Sequence, residues 1–279
     1  MKNISPLRWV GGKALIYPQV LRFLDAAKID NNGTFIELFA GGASLGLKLL
    51  TKGRVSNIIL NDLDRNVFSF WYSVLYNTEE LIDLIKNAPL NITEYEKHCE
   101  ILSNHKFKDC LTTGFSMFYL NRTKYYGCLL SGILGGKNQK STYNMDSRFD
   151  KCDLIDKIKY ISTFKNKIIL SNESYNFYLE KSKIKDFDIK NTFFYLDPPY
   201  YCKNNLYICD FNIYHHIILL EKIKSIDKKI KWLISYNDNE TIKKLYKNYN
   251  IITNNMNYSS NKKKIKELFI YSNNITIKE

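Results

Sequence analysis

The sequence predicts an α/β protein built on a mostly parallel sheet, with a mainly helical insert in mid-chain and an antiparallel hairpin at the end. Three observations carry this expectation. Short apolar strands alternate with helical segments in the first and last parts of the chain. Between about Asn77 and Ser162 that alternation gives way to helical periodicity alone. The last two strand-like runs are joined by a short polar stretch, which suits antiparallel neighbours.

From Gly12 to Lys28 apolar residues recur at helical spacing (Leu15, Ile16, Val20, Leu21, Leu24), with Pro18 close enough to the start to be tolerated. Thr34 to Phe39 reads as a buried strand, Gly41-Gly42-Ala43-Ser44 as a tight turn, and Leu45 to Thr51 as a helix. A second strand, Ser56 to Leu60, ends at Asn61-Asp62, and Asp64 begins a helix through Tyr76. This opening implies parallel strands joined by right-handed crossovers. Helical segments follow at Glu79 to Lys86, Thr93 to Leu102, Leu111 to Leu120 and Leu154 to Ile161, around a long polar stretch from Asn121 to Asp150. The strand-helix rhythm then returns. It runs through strand Lys167 to Leu170, helix Tyr175 to Lys183, strand Thr192 to Leu196, helix Tyr214 to Ile226, strand Lys231 to Ser235 and helix Asn239 to Tyr246. Tyr249 to Asn254 and Glu267 to Tyr271 close the chain around a Ser-Ser-Asn-Lys-Lys-Lys turn. The division expected is residues 1–76 with 163–279 for the sheet, and 77–162 for the insert.

The 279 residues are 45% apolar and 25% charged, the make-up of an ordinary globular protein, which excludes the disordered, collagen-like and disulfide-scaffold classes. No run approaches the roughly 18 consecutive apolar residues of a membrane helix, and Met1 to Leu7 lacks the apolar stretch of a signal peptide. A cytoplasmic location without a membrane partner is therefore expected. The six cysteines (Cys99, Cys110, Cys128, Cys152, Cys202, Cys209) include no C-x-x-C pair, and His98, His105, His215 and His216 show no metal-site spacing. The thiols are read as reduced, and no metal is expected. A net charge of +13 favours a polyanionic partner, because Lys and Arg neutralise phosphates and release condensed counterions. The richness in Lys, Asn, Ile and Tyr also fits an AT-biased coding sequence, so charge alone does not decide the partner.

Two motifs speak of chemistry. The Gly41 turn lies between a strand and a helix, where glycine lets the backbone approach a ligand and the helix start presents unpaired N–H groups. Asp62 follows 21 residues later at the end of the next strand, where a carboxylate can accept from both hydroxyls of a ribose. Together they point to an adenosine-containing cofactor without saying which. Asp197-Pro198-Pro199-Tyr200 sits directly after an apolar strand, where open parallel sheets place their ligands. The prolines have fixed φ and no N–H, so nearby carbonyls are held rigidly. A carboxylate, a fixed carbonyl and an aromatic plane form a site for a planar heterocycle with an exocyclic amine.

Pro6-Leu7-Arg8-Trp9-Val10-Gly11-Gly12-Lys13, the Phe39-x-Gly41 loop, Asp197-Pro-Pro-Tyr200 and the late Tyr258-Ser-Ser-Asn261 occur in an order that resembles the N6-adenine DNA methyltransferases of the Dam type (D12 class, alpha group). Asn121-Arg122, Gly135-Gly136-Lys137-Asn138-Gln139 and Arg148-Phe149 also resemble members of this family. The resemblance covers nearly the whole chain. It implies a Rossmann-like methyltransferase sheet that binds S-adenosyl-L-methionine, an insert that recognises double-stranded DNA, and a possible cognate restriction endonuclease as a genetic partner. It further implies that Trp9, Lys13, Phe39, Gly41, Asp62, Ser174, Tyr175 and Asp197 contact the cofactor. Asp197, Pro198, Pro199 and Tyr200 would carry catalysis, and Arg8, Asn121, Arg122, Lys137 and Arg148 would contact DNA. Ala43 departs from the family loop, which often has glycine there, but a methyl group still permits close approach.

The chemistry follows from residue types. The lone pair of an adenine N6 amine is delocalised into the ring, and hydrogen bonds to Asp197 and a Pro198 or Pro199 carbonyl favour a pyramidal nitrogen that attacks in line. Such an adenine must leave the duplex, and Tyr200 is expected to stack on it. Cys202 is read as a bystander. Between Asn121 and Lys151 there are six basic residues and two acidic ones, mixed with Tyr125, Tyr126 and Tyr143, which suits DNA contact, while a solvated loop is the alternative. Other readings are a nicotinamide oxidoreductase, which has no use for Asp197-Pro-Pro-Tyr200, an inactive DNA-binding relative, and a methyltransferase acting on an RNA or protein amine. Members that read GATC share an Asn-Gly-Leu-x-Arg stretch, and this chain has Tyr126-Gly127-Cys128-Leu129-Leu130. Leu130 cannot form a bidentate bond to guanine, so the site need not be GATC.

Overall fold

The computed structural model describes residues 4–9, 12–104, 109–201, 211–257 and 264–277. Val10 and Gly11 of the opening motif, His105, Cys202, Cys209 and Tyr258-Ser-Ser-Asn261 lie outside the described residues.

A 3-10 turn, Lys13–Ile16, leads into α1 (Tyr17–Ala26). Pro18 explains why one helix does not begin at Gly12: it has no N–H, its ring excludes the carbonyl four residues back, and it fits only the first turn. The expected opening follows as β1 (Thr34–Glu37), α2 (Ser44–Thr51), β2 (Asn57–Asn61) and α3 (Arg65–Tyr76). The mid-chain helices are α4 (Thr78–Asn87), α5 (Ile92–Ser103), α6 (Cys110–Thr123) and α7 (Lys151–Ser162). Asp64, Asn91, Asp109 and Asp150 cap α3, α5, α6 and α7, their side-chain oxygens accepting first-turn amides that have no helical partner. The polar stretch before α7 holds two 3-10 turns, Tyr125–Gly127 and Met145–Arg148.

The second half runs β3 (Ile168–Ser171), α8 (Tyr175–Tyr178), α9 (Lys181–Ile184), β4 (Thr192–Leu196), α10 (Ile213–Ile226), β5 (Lys231–Asn237), α11 (Glu240–Leu245), β6 (Asn250–Asn257) and β7 (Lys264–Tyr271). The single helix expected over Tyr175 to Lys183 is two separate turns, with Glu180 extended between them. Tyr175, Tyr178, Leu179 and Ile184 are all drawn into the core, and that packing outweighs helical continuity in an aromatic run of modest propensity.

The seven strands lie in the order β3-β2-β1-β4-β5-β7-β6. The first five are parallel, and β7 pairs antiparallel with both β5 and β6. From β1 the chain moves outward through β2 to β3, then returns to β4 on the other side of β1. Crossovers leaving in opposite directions open a crevice at the carboxyl ends of β1 and β4, where doubly wound sheets bind ligands.

Alternate strand residues feed two cores. Phe35, Phe193, Tyr195 and Leu233 face one side, and Ile36, Phe194, Leu196 and Trp232 the other. Residues of the mid-chain helices, among them Leu81, Ile85, Met117, Phe118 and Leu154, join the first core together with α1 to α3. Gly114 permits this docking, since a Cβ there would stand 2.5 Å from the Ser69 carbonyl oxygen, and Phe70 stacks on Phe118 at 5.4 Å. Residues 77–162 thus share a hydrophobic core with the sheet. Among the described residues, no helix is long and apolar enough to cross a membrane.

Candidate active site

A cavity of about 310 Å³ occupies the crevice. Trp9, Lys13, Phe39, Gly41, Asp62, Ser174, Tyr175 and Asp197, eight residues drawn from five separate parts of the chain, all line it. Glu37, which the sequence reading did not single out, lines it as well.

The turn after β1 shows why its sequence is glycine-rich. Gly41 has φ +45°, and a Cβ there would stand 2.5 Å from the Trp9 indole ring. The Gly41 N–H donates to Asp62 Oδ2 at 2.7 Å, and its carbonyl accepts from Trp71 Nε1 at 2.9 Å. Ala43 is also left-handed, at φ +47°. Asp62 accepts a second amide, that of Asp64, at Oδ1. Asn61 ties three loops together: its side-chain amide donates to the Leu38 and Glu173 carbonyls, and its oxygen accepts from the Glu173 N–H. Ser174 caps the short α8, which sets the Tyr175 ring 5.5 Å from that of Phe39.

Burial shifts two carboxylates in this half. Glu37 accepts from the Gly46 N–H at 3.0 Å through Oε1, while its buried Oε2 has no partner among the described residues. Burial raises Glu37 to about 8 against the opposing Gly46 bond. Asp62 is raised to about 7 by burial and by Asp64, against the amides of Gly41 and Asp64. Each gains from a donor or cation placed in the cavity.

The other half is a buried polar cluster at the carboxyl end of β4. Asp197 Oδ1 accepts from Ser235 Oγ at 3.0 Å and pairs with Lys13 Nζ at 3.1 Å. Lys13 Nζ also donates to Glu267 Oε1 at 2.7 Å and bonds to the Tyr200 hydroxyl, which itself donates to Glu267 Oε1 at 2.9 Å. Ser235 Oγ is in turn hydrogen-bonded to the Tyr195 hydroxyl at 2.7 Å. Burial raises Asp197 to about 6; Lys13 opposes the rise and Glu267 adds to it. Burial pulls Lys13 down, but Asp197 and Glu267 outweigh it and hold the ammonium above the ordinary lysine range. Pro198 is buried, and Pro199 borders the cavity.

Two expectations change. Lys13 lines the cavity, but its ammonium is committed to two carboxylates and a tyrosine. Tyr200 is expected to act through its stacking ring, and its hydroxyl is also bonded inside the cluster. Sequence reasoning missed Ser235 and Glu267. Ser235 lies near the end of β5, the strand beside β4, and Glu267 is a lone acid opening the apolar run Glu267 to Tyr271. The second signal takes on meaning only once β7 is known to lie beside β5.

The residues expected at DNA separate into two groups. Asn121 is fully buried, with Oδ1 accepting from the Arg8 N–H and Nδ2 donating to the Arg8 and Gly127 carbonyls, each at 2.8 Å. It clamps the chain opening to the polar stretch, with its side chain buried and bonded within the protein rather than presented at the surface. Arg122 is half-buried and donates through Nε to the Arg148 carbonyl at 2.6 Å and through Nη1 to the Pro6 carbonyl. Burial and the neighbouring Arg8 and Arg148 lower it to about 10. Arg8 is likewise lowered by burial and by Arg148. Arg148 and Lys137 are exposed, with the Arg148 guanidinium 5.9 Å from the Tyr143 ring centre and Lys137 3.9 Å from Glu96. Tyr126, Leu130 and Tyr143 are exposed too, and Gly127 to Leu129 form part of the cavity rim.

A family model described as D12 class N6 adenine-specific DNA methyltransferase matches residues 9–260. The chain belongs to that family. It is an adenine-specific DNA methyltransferase, and its methyl donor is S-adenosyl-L-methionine. No curated protein sequence matches the chain significantly. Among solved structures, it is similar to an uncharacterized protein from Listeria monocytogenes (9% identity, 90% of this chain and 66% of that one, TM-score 0.37). It is also similar to a precorrin-6y C5,15-methyltransferase from Geobacter metallireducens (10%, 94% and 91%, 0.35). The rRNA methyltransferase aviRa from Streptomyces viridochromogenes is a third (8%, 94% and 86%, 0.36).

Proposed function

We propose that this enzyme methylates N6 of an adenine flipped out of duplex DNA at a specific sequence. The observation that carries this reading is Asp197. Its Oδ1 is fixed by Lys13 and Ser235, its Oδ2 has no partner among the described residues, and it borders the same cavity as the Gly41 turn.

The cavity fits S-adenosyl-L-methionine by its donor and acceptor set. The orphaned Oε2 of buried Glu37 suits the amino group, Asp62 the ribose hydroxyls, and the Phe39 and Tyr175 rings the adenine. When bound, the cofactor supplies an electrophilic methyl on a sulfonium. The protein's part is orientation and electrostatics. Asp197 Oδ2 accepts from the target amine, and a carbonyl of the rigid Pro198-Pro199 pair accepts the second N–H, drawing the nitrogen lone pair out of the ring. The amine proton lost after transfer can pass to Asp197, whose proton affinity burial raises. Tyr200 offers a ring beside the base.

DNA approaches over residues 121–150, whose first loop is also the cavity rim. Lys137 and Arg148 are placed for phosphate or base contact, and Arg8 and Arg122 add positive potential from behind. The exposed Leu130 supports a target other than GATC. A cytoplasmic enzyme with a restriction endonuclease as genetic partner fits this reading.

The test is transfer of labelled methyl to duplex DNA, with sequencing of methylated motifs from a methylation-free host expressing the chain. N6-methyladenine in a non-GATC motif is the expected product. 5-Methylcytosine, or label only in RNA or protein, would overturn the function. A clean GATC profile would overturn the reading of Leu130 alone.

A further inference from the structure

We propose that Glu267 is a positioning residue for methyl transfer: it shares the Lys13 ammonium with Asp197 and anchors Tyr200, so that Asp197 meets the target amine as a strong acceptor. This rests on the methyltransferase reading of the same site.

The geometry is asymmetric. Lys13 Nζ lies closer to Glu267 Oε1, at 2.7 Å, than to Asp197 Oδ1, at 3.1 Å. The Tyr200 hydroxyl donates to the same Glu267 oxygen. Glu267 is buried on β7, opposite Asn237 of β5, and reaches the site from a different element than any residue of the Asp197 tetrapeptide. The ionisable groups facing the cluster are Lys13 from the opening turn, Asp197 and Tyr195 from β4, Tyr200 after it, Tyr236 from β5, and Glu37 from β1. Among the described residues that face the cluster, Lys13 is the only ammonium or guanidinium.

Two buried carboxylates therefore divide one positive charge. Without Glu267, the ammonium would pair with Asp197 alone, and the resulting neutral pair would accept a hydrogen bond more weakly than a carboxylate that keeps much of its charge. Tyr200 gains as well: a hydroxyl anchored on Glu267 fixes the ring beside Pro199.

The decisive variants are E267Q, which keeps shape and acceptor but removes charge, and E267D, which keeps charge. Single-turnover methyl transfer is measured against pH, together with cofactor affinity and, in the cofactor-free protein, the titration of the Asp197 carboxyl carbon by NMR. Glu267 raises Asp197, so E267Q should lower the Asp197 midpoint by about one pH unit and move the acid limb of the rate profile with it. The rate at pH 8 should fall roughly tenfold or more while cofactor affinity stays within about threefold. E267D should return the midpoint and limb toward the wild type. An E267Q enzyme with wild-type rate, limb and Asp197 titration would overturn the proposal, as would loss of rate in E267Q and E267D alike with the titration unmoved. Should wild-type protein transfer no methyl to adenine, the functional reading falls, and the NMR titration still decides whether Glu267 is coupled to Asp197.

Discussion

The Asp197 cluster and residues 121–150 draw on the same polar vocabulary, yet only the first is buried. At the end of β4, Lys13, Asp197, Tyr200 and Glu267 pair with one another inside the protein. Along the polar stretch, Lys137, Arg148, Tyr126 and Tyr143 face solvent. Burial makes the first set expensive to rearrange and therefore precise, because polar groups removed from water must find partners in fixed geometry. Exposure leaves the second set adaptable, as contact with a long polyanion requires. Asn121 marks the boundary: it belongs to the polar stretch in sequence but to the buried class in structure.

The comparison predicts its own breaking points. Asp197→Ala should lower single-turnover transfer by about 100- to 1000-fold or more, with an unchanged circular dichroism spectrum and cofactor binding retained through Glu37 and Asp62. A variant within tenfold of wild type would remove Asp197 from the chemistry. Asn121→Ala should act on stability instead. It strips partners from the Arg8 N–H and from two carbonyls in a buried setting, and about 3 kcal/mol, or roughly 6 to 12 °C in Tm, is expected. An unchanged Tm with weakened DNA binding would return Asn121 to the interface.

Tyr200→Phe tests the bonded hydroxyl. Roughly tenfold slower transfer is expected, with Tyr200→Ala slower still because the ring is lost as well. Equality of the two would dismiss the stacking role, and a wild-type rate for Tyr200→Phe would dismiss the hydroxyl. Lys137→Ala and Arg148→Ala should each weaken DNA binding a few-fold without moving Tm. For a phosphate contact the logarithmic salt dependence should flatten by about one. A base contact should instead change the methylated motif.

The mildest effect concerns pH. Glu37 and Asp62 accept as carboxylates, and burial has raised them to about 8 and about 7, so affinity for S-adenosyl-L-methionine should be full well above pH 8 and weaken as pH falls through that range. Calorimetry between pH 5.5 and 9.5 checks this, and Asp62→Asn should remove the part of the dependence near pH 7 while leaving the part due to Glu37.

Much of this site was legible in the chain. The Gly41 turn and Asp62 announced themselves because a strand end followed by glycine, and an acid at the next strand end, reflect requirements that are local in sequence. Asp197-Pro-Pro-Tyr200 did so because proline fixes its own backbone. Lys13 was legible as a site residue, but its partners were not. It meets Glu267 across 254 residues, and only the placement of β7 between β5 and β6 brings them together.

The sequence by itself determined the strand-helix alternation, the mid-chain helices, the closing hairpin and the four motifs, since periodicity, caps and rigid dipeptides act over a few residues. Tertiary structure alone decided that Asn121 is a clamp, that Arg122 directs two of its donors to carbonyls, and that Glu267 reaches the active centre. Whether a polar side chain serves the fold or a ligand depends on how much water and how many partners surround it, and long-range packing sets both.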